Sequence, residues 1–341
     1  MTGPVAEGRT VSSAFTRRAP LRRPILRKRL FTTVPAALIV SAAGIAALLR
    51  GGVTRRAPAG LPDAGPLTAW ALPACRFAAD VAAAATVGFL VAAVILLPRS
   101  AAGPARGIAA RCAASWSVAA AAELVFTHSD IVGAPLPRAL STWTAFPQEQ
   151  ALAAQAVLAL VACALAVRSP KPAVVPAGGA LLLPLATGHS GTASHTLAMP
   201  ALVVHVTAAT VWTGGLLAVA WIARRVPDHL APAAERFSRL ALACFAATAV
   251  SGVANALLRL HTPADLVTSA YGQLTAAKSI GLVLLGLCGA RHRRAVLPRL
   301  RTADGGAAFG RLARSELIIM ATTFAVAVAL SRTAPPDIAR Y

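Results

Sequence analysis

Residues 197–222, LAMPALVVHVTAATVWTGGLLAVAWI, decide the fold, because across this whole stretch His205 is the only ionisable side chain. Wound as an α-helix at 1.5 Å per residue, such a run is longer than the roughly 30 Å hydrocarbon core of a bilayer. It shows no alternation of apolar and polar positions, so it reads as a membrane-spanning helix and not as a strand.

Similar runs lie upstream near 33–50, 69–97, 107–127, 151–168 and 172–188, and downstream near 237–259, 271–290 and 312–331. A crossing takes about 20 apolar residues, and the chain therefore reads as an all-α, polytopic transmembrane helix bundle of about nine spans. The composition agrees: 13% of residues are charged and 57% hydrophobic, against about 25% charged in a soluble domain.

The formal charge of +21 does not point to nucleic acid, since the sequence has no reader motif and no basic face interleaved with aromatics. The cations flank the apolar runs instead. On alternating sides of the spans, 24 Lys and Arg fall with the N-terminus and five (Arg55, Arg56, Arg138, Arg332, Arg340) on the opposite side. By the positive-inside rule the N-terminus is cytoplasmic and the C-terminus outside. The expected organisation is a basic cytoplasmic tail at 1–30, transmembrane regions at 31–187 and 188–336, and a short outer tail at 337–341. The first run, with its basic flank and Ala57-Pro58-Ala59, also resembles a cleavable signal; cleavage would leave about eight spans and move no later loop.

Ionisable groups inside a membrane are costly and usually face a bundle interior or a water-filled path, which makes each a functional candidate. His205 is expected on the order of 12 Å below the outer end of its span and Lys278 about 10 Å below its own. Arg76 and Asp80 occupy a similar depth and, four residues apart, share a helix face on which they can neutralise each other. Glu123 lies near the outer end of the third span, and Glu316 near the inner end of the last. Five of the seven histidines (His128, His189, His195, His205, His261) map to outer loops or outer half-spans. Imidazole is the commonest metal ligand, and converging histidines hold Cu(II), or Cu(I) with a thioether such as Met199. Paired intramembrane histidines on facing helices would suit haem, for which only His205 is clearly buried on this reading. Cys75, Cys112, Cys163, Cys244 and Cys288 occur singly and read as small buried hydrophobes. No nucleotide-binding or hydrolase motif occurs, so no enzyme is expected.

The stretch from Gly188 to Arg225, GHSGTASHTLAMPALVVHVTAATVWTGGLLAVAWIARR, resembles the signature of the CopD copper-resistance membrane family. His205 followed by Val211-Trp212-Thr213-Gly214-Gly215 is its most specific part. Arg236-Phe237-Ser238, Ser251-Gly252, Tyr271-Gly272, Lys278, Glu316 and Pro335-Pro336 continue the order, while the upstream spans match in hydropathy alone. Independently of the resemblance, Gly214-Gly215 permits a close helix approach, and Trp212, seven residues after His205, shares its face.

The resemblance implies a multi-pass protein of the bacterial cytoplasmic membrane that transports copper, inward from the outer side, alongside an extracytoplasmic copper-binding partner. His195, His205 and His189 would be copper contacts with Met199 nearby, and Lys278, Trp212, Asp80, Arg76, Glu123, His128 and His261 accessory. Met1, Met199 and Met320 are the only methionines, so no methionine-lined route is expected. The alternatives are a non-transporting factor that delivers copper to a membrane oxidase, and a haem-bearing redox protein.

Overall fold

The computed structural model describes residue 3 and residues 23–51, 62–141, 146–187, 195–300 and 305–336, the side chains of 23–34 and 195–197 lying outside that description. The chain divides into two compact units, Met1–Leu38 and Ile39–Tyr341. The first contributes the opening part of the first helix; the architecture below is that of the second.

Among the described residues every regular element is helical: α1 Arg23–Arg50, α2 Gly65–Val91, α3 Gly103–Val132, α4 Leu136–Ser141, α5 Pro147–Arg168, α6 Pro170–Leu182, α7 His195–Arg225, α8 Leu230–Leu257, α9 Asp265–Thr268, α10 Ala270–Arg291 and α11 Gly305–Ser331. A π turn, Ala92–Leu96, extends α2, and another, His292–Val296, follows α10. Each expected apolar run falls on one of these helices. Among the described residues seven helices are long and apolar enough to cross a membrane, and the described part of α1 adds a further apolar stretch, Pro35–Arg50. The run at 172–188 becomes the short α6 and a 3-10 segment, Leu183–Thr187; Pro176 and Pro184 within it each remove a backbone donor from the ladder.

Successive helices run antiparallel, and cross-links tie like ends together. At one end of the bundle Thr68 bonds Ser129 at 2.8 Å, and Arg332 bonds Asp130 at 3.0 Å. At the opposite end arginines close helix C-termini: Arg106 donates to Val167 O at 2.9 Å, and Arg236 to Leu96 O at 3.1 Å. The cations expected to orient the helices thus also satisfy carbonyls that a helix terminus leaves without an intrahelical partner.

Between membrane helices there is no hydrophobic driving force, so close van der Waals packing of small residues holds them together. Alanines supply that packing in the N-terminal half, where Ala83, Ala109, Ala113, Ala159, Ala162 and Ala177 are buried between α2, α3, α5 and α6. α7 then packs on α2, α8 and α11, and α10 on α11, while α8 and α10 touch only lightly. The α2–α7 crossing is made by two glycines, since a Cβ on Gly88 or Gly214 would overlap the backbone of the other helix. Gly215, next in line, lies against the Phe237 ring of α8. The Gly214-Gly215 pair therefore permits two close approaches. Ala47 and Leu48 of α1 are buried with Leu274, Val326 and Ala329, which packs the end of the first apolar run into the bundle; Ala57-Pro58-Ala59 lies outside the described residues.

Candidate functional site

His205 sits on α7 ten residues after its first residue, about 15 Å along the helix, and faces α8. Its Nδ1 is 3.2 Å from Thr248 O and 3.1 Å from Ser251 Oγ. A carbonyl only accepts, and Ser251 Oγ gives its own proton to Ala247 O; both contacts therefore make Nδ1 the protonated nitrogen. The tautomer follows from these partners: Nε2 carries the lone pair and points away from this anchor. Gly252 lies beside the ring, where a Cβ would make ordinary van der Waals contact with Cε1 at 3.4 Å. Lys278 of α10, half-buried, lies within electrostatic reach of His205. One face below, Trp212 is buried and meets Phe245 edge-on, with centroids 5.6 Å apart.

His189 lies outside the described residues. His195 opens α7 and Met199 follows one turn later on the same face, but ten residues separate His195 from His205. That is about 15 Å of axial rise, too far for one ion to touch both. Among the described residues no three His, Cys, Asp or Glu side chains cluster in a way that could hold a metal ion.

The accessory candidates divide into structural groups. Arg76 does not close its ion pair along α2: Asp80 lies on the exposed face of that helix, and the acid within ion-pair distance is Glu123 of α3, at 3.6 Å. Tight packing of α2 on α3 brings that carboxylate nearer than the one a turn away. His128 is fully buried, with Nδ1 2.9 Å from Glu149 Oε1 and Nε2 3.0 Å from Ala139 O. Both ring nitrogens are engaged, so His128 clamps the outer α3–α5 connection and has none left for a metal. Glu149 also accepts from the Phe146 backbone N–H at 3.3 Å, closing the first turn of α5. His261 lies in the α8–α9 connection, where its backbone N–H donates to Asp265 Oδ2 at 3.2 Å.

A further pair lies at the far end of α10 from its first residue, where the sequence singled out Glu316 alone. His292 Nδ1 is 3.0 Å from Glu316 Oε1, and both residues are buried. Residues 24 apart on separate elements leave no local signal, and neither this pair nor His128–Glu149 was legible beforehand. The expectation that His205 alone is buried is corrected as well: His128 and His292 are more buried than His205. His292 lies about 33 Å along α10 from its outer start, far below His205, so these two do not form the facing pair that axial haem ligation requires.

Other motif residues have local reasons. Ser269 caps α10 by accepting from Gly272 N at 2.9 Å, and a Cβ on Gly272 would overlap the Asp265–Leu266 backbone. The five cysteines are unpaired thiols, Cys244 buried in the core and the others half-buried.

The profile described as copper resistance protein D matches residues 231–330, and that described as the copper resistance protein D-like N-terminal domain matches residues 67–199. The upstream spans, which resemble the family in hydropathy alone, thus carry a match of their own. His195 and Met199 lie in the N-terminal match, Lys278 and the His292–Glu316 pair in the C-terminal one, and His205 on α7 between the two. No curated protein and no solved structure matches the chain. The family is one of copper-resistance membrane proteins and not a class of enzymes. Two matched domains in their expected order on a multi-pass helical bundle place this chain in the copper resistance protein D family.

Proposed function

We propose that the protein carries copper inward across the cytoplasmic membrane, with His205 as the contact that receives the ion inside the bundle. One observation carries the reading: the ring of His205 is anchored through Nδ1 by Thr248 and Ser251, which leaves Nε2 with its lone pair for a ligand in an outer half-span. Family membership supplies copper as the cargo.

His189, His195 and Met199 act before His205, as a loading station at the head of α7 that an extracytoplasmic copper-binding protein fills. The spacing along α7 makes transfer successive, from the helix start to His205. Lys278 opposes retention of a cation beside the ring, which favours passage over storage. The test is copper accumulation under copper limitation in a deletion strain, comparing wild type with His205→Ala at equal membrane levels. Wild type should restore accumulation and the variant should lose most of it; equal accumulation by both would remove His205 from the path.

A second reading is favoured by the apolar character of the spans beyond His205, along which the cysteines stand singly. In it the protein presents copper to a membrane oxidase without transporting it. Wild type would then restore oxidase activity and leave total cellular copper unchanged.

A further inference from the structure

Three helices meet at Phe245 of α8, whose ring packs edge-on against Trp212 of α7 and lies 3.1 Å from where a Cβ on Gly286 of α10 would stand. Counting in one direction from that contact, His205 lies seven residues along α7, Ser251 six along α8 and Lys278 eight along α10. At 1.5 Å per residue these are rises of about 10, 9 and 12 Å. His205 and Lys278 therefore stand in one layer, beside the seam where α8 and α10 touch only lightly.

The layer offers an ion one lone pair and one positive charge. Nδ1 of His205 is engaged by Thr248 O and Ser251 Oγ, and the serine proton by Ala247 O, so Nε2 is the atom left for a ligand. Unlike the second imidazole nitrogen of His292, it is not sealed from contact. Lys278 is half-buried and acts electrostatically on His205. Among the described residues no carboxylate lies within ion-pair distance of it, and its ammonium is thus an uncancelled cation beside the ring. Imidazole by itself binds Cu(II) more tightly than the other divalent first-row ions, so the nitrogen does not select for low charge. The ammonium does.

We propose that Lys278 makes the His205 site selective for a soft monovalent ion, Cu(I), and excludes divalent ions, an inference that rests on His205 being the copper contact. Coulomb repulsion is proportional to the charge of the ion, and away from the surface salt screens it little. Whatever factor the ammonium takes from Cu(I) affinity is therefore squared for a divalent ion. Across about 10 Å at an effective dielectric constant of about 20, that factor is on the order of ten for Cu(I) and on the order of a hundred for Zn(II) or Cu(II). An anion would gain from the ammonium but meet the lone pair of Nε2, which repels it.

The experiment measures equilibrium binding of Ag(I), a redox-stable monovalent ion, and of Zn(II) to the full chain in lipid nanodiscs, with His205→Ala subtracting ions held elsewhere. Cu(I) kept reduced by ascorbate under nitrogen should follow Ag(I). Lys278→Met should raise the His205-dependent affinity about tenfold for Ag(I) and about a hundredfold for Zn(II), the second gain being the square of the first. Lys278→Arg keeps the charge and should leave both affinities close to wild type. Variants are compared as monodisperse species, and Lys278→Gln takes the place of a methionine variant that does not meet this condition. Equal gains for the two ions, a Lys278→Arg protein that behaves like Lys278→Met, or a wild type that holds Zn(II) as tightly as Ag(I) would overturn the proposal and leave His205 as the contact. Ag(I) binding that His205→Ala does not change would instead remove the copper contact itself, and this proposal with it.

Discussion

The buried pair of His128 and Glu149 allows a sharp test of whether an outer histidine serves structure or metal. The two side chains are 0% and 1% exposed and 2.9 Å apart. Replacing either partner alone by Leu leaves the other as an uncompensated buried charge, a cost of about 3–5 kcal/mol. Replacing both removes the charge problem and leaves the Ala139 carbonyl and the Phe146 N–H without their side-chain partners, about 1 kcal/mol each. His128→Leu with Glu149→Leu should therefore cost less than the sum of the single variants, with a coupling of about 4 kcal/mol or more. Equilibrium unfolding of the four proteins in mixed micelles measures it. Additivity within about 0.5 kcal/mol would refute the reasoning. Copper accumulation per folded molecule should not change in the single variants, because both nitrogens of His128 are already engaged; a selective loss of accumulation would return His128 to the copper path.

Gly214→Ala pushes a methyl into the α2 backbone and should destabilise by about 1–3 kcal/mol, whereas Gly107→Ala, where a Cβ meets nothing within 4 Å, should stabilise α3 by about 0.5–1 kcal/mol. The same unfolding assay reads both, and equal effects would show that the α2–α7 crossing is not glycine-dependent. Arg332→Ala breaks a pair exposed by 24% and 39% and should cost under about 1 kcal/mol. Arg76→Ala strands Glu123, whose side chain is 7% exposed, and should cost several times more. Ser251→Ala keeps the Thr248 carbonyl as the single anchor of His205, and should lower copper accumulation severalfold at unchanged protein level; unchanged accumulation would show that the serine does not orient the ring.

The sequence by itself determined the solvent and the architecture. Long runs such as 197–222 can be stable only as helices in a bilayer, because an apolar segment without internal hydrogen bonds has no partner there. Gly214-Gly215 was legible as a close-approach point, since only residues without bulk allow backbones to meet, and His205 stood out as a lone ionisable group in an apolar run. What charges do across helices was not legible. Arg76 reaches Glu123 instead of Asp80 because the interhelical gap is shorter than the path along its own helix. His128 finds Glu149, and His292 finds Glu316, across separations that carry no periodic signal. Which nitrogen of His205 holds the proton depends on a carbonyl and a hydroxyl 43 and 46 residues away. Only the tertiary structure decided these pairings, because in a low-dielectric interior a polar group is governed by what packing brings within about 3 Å of it.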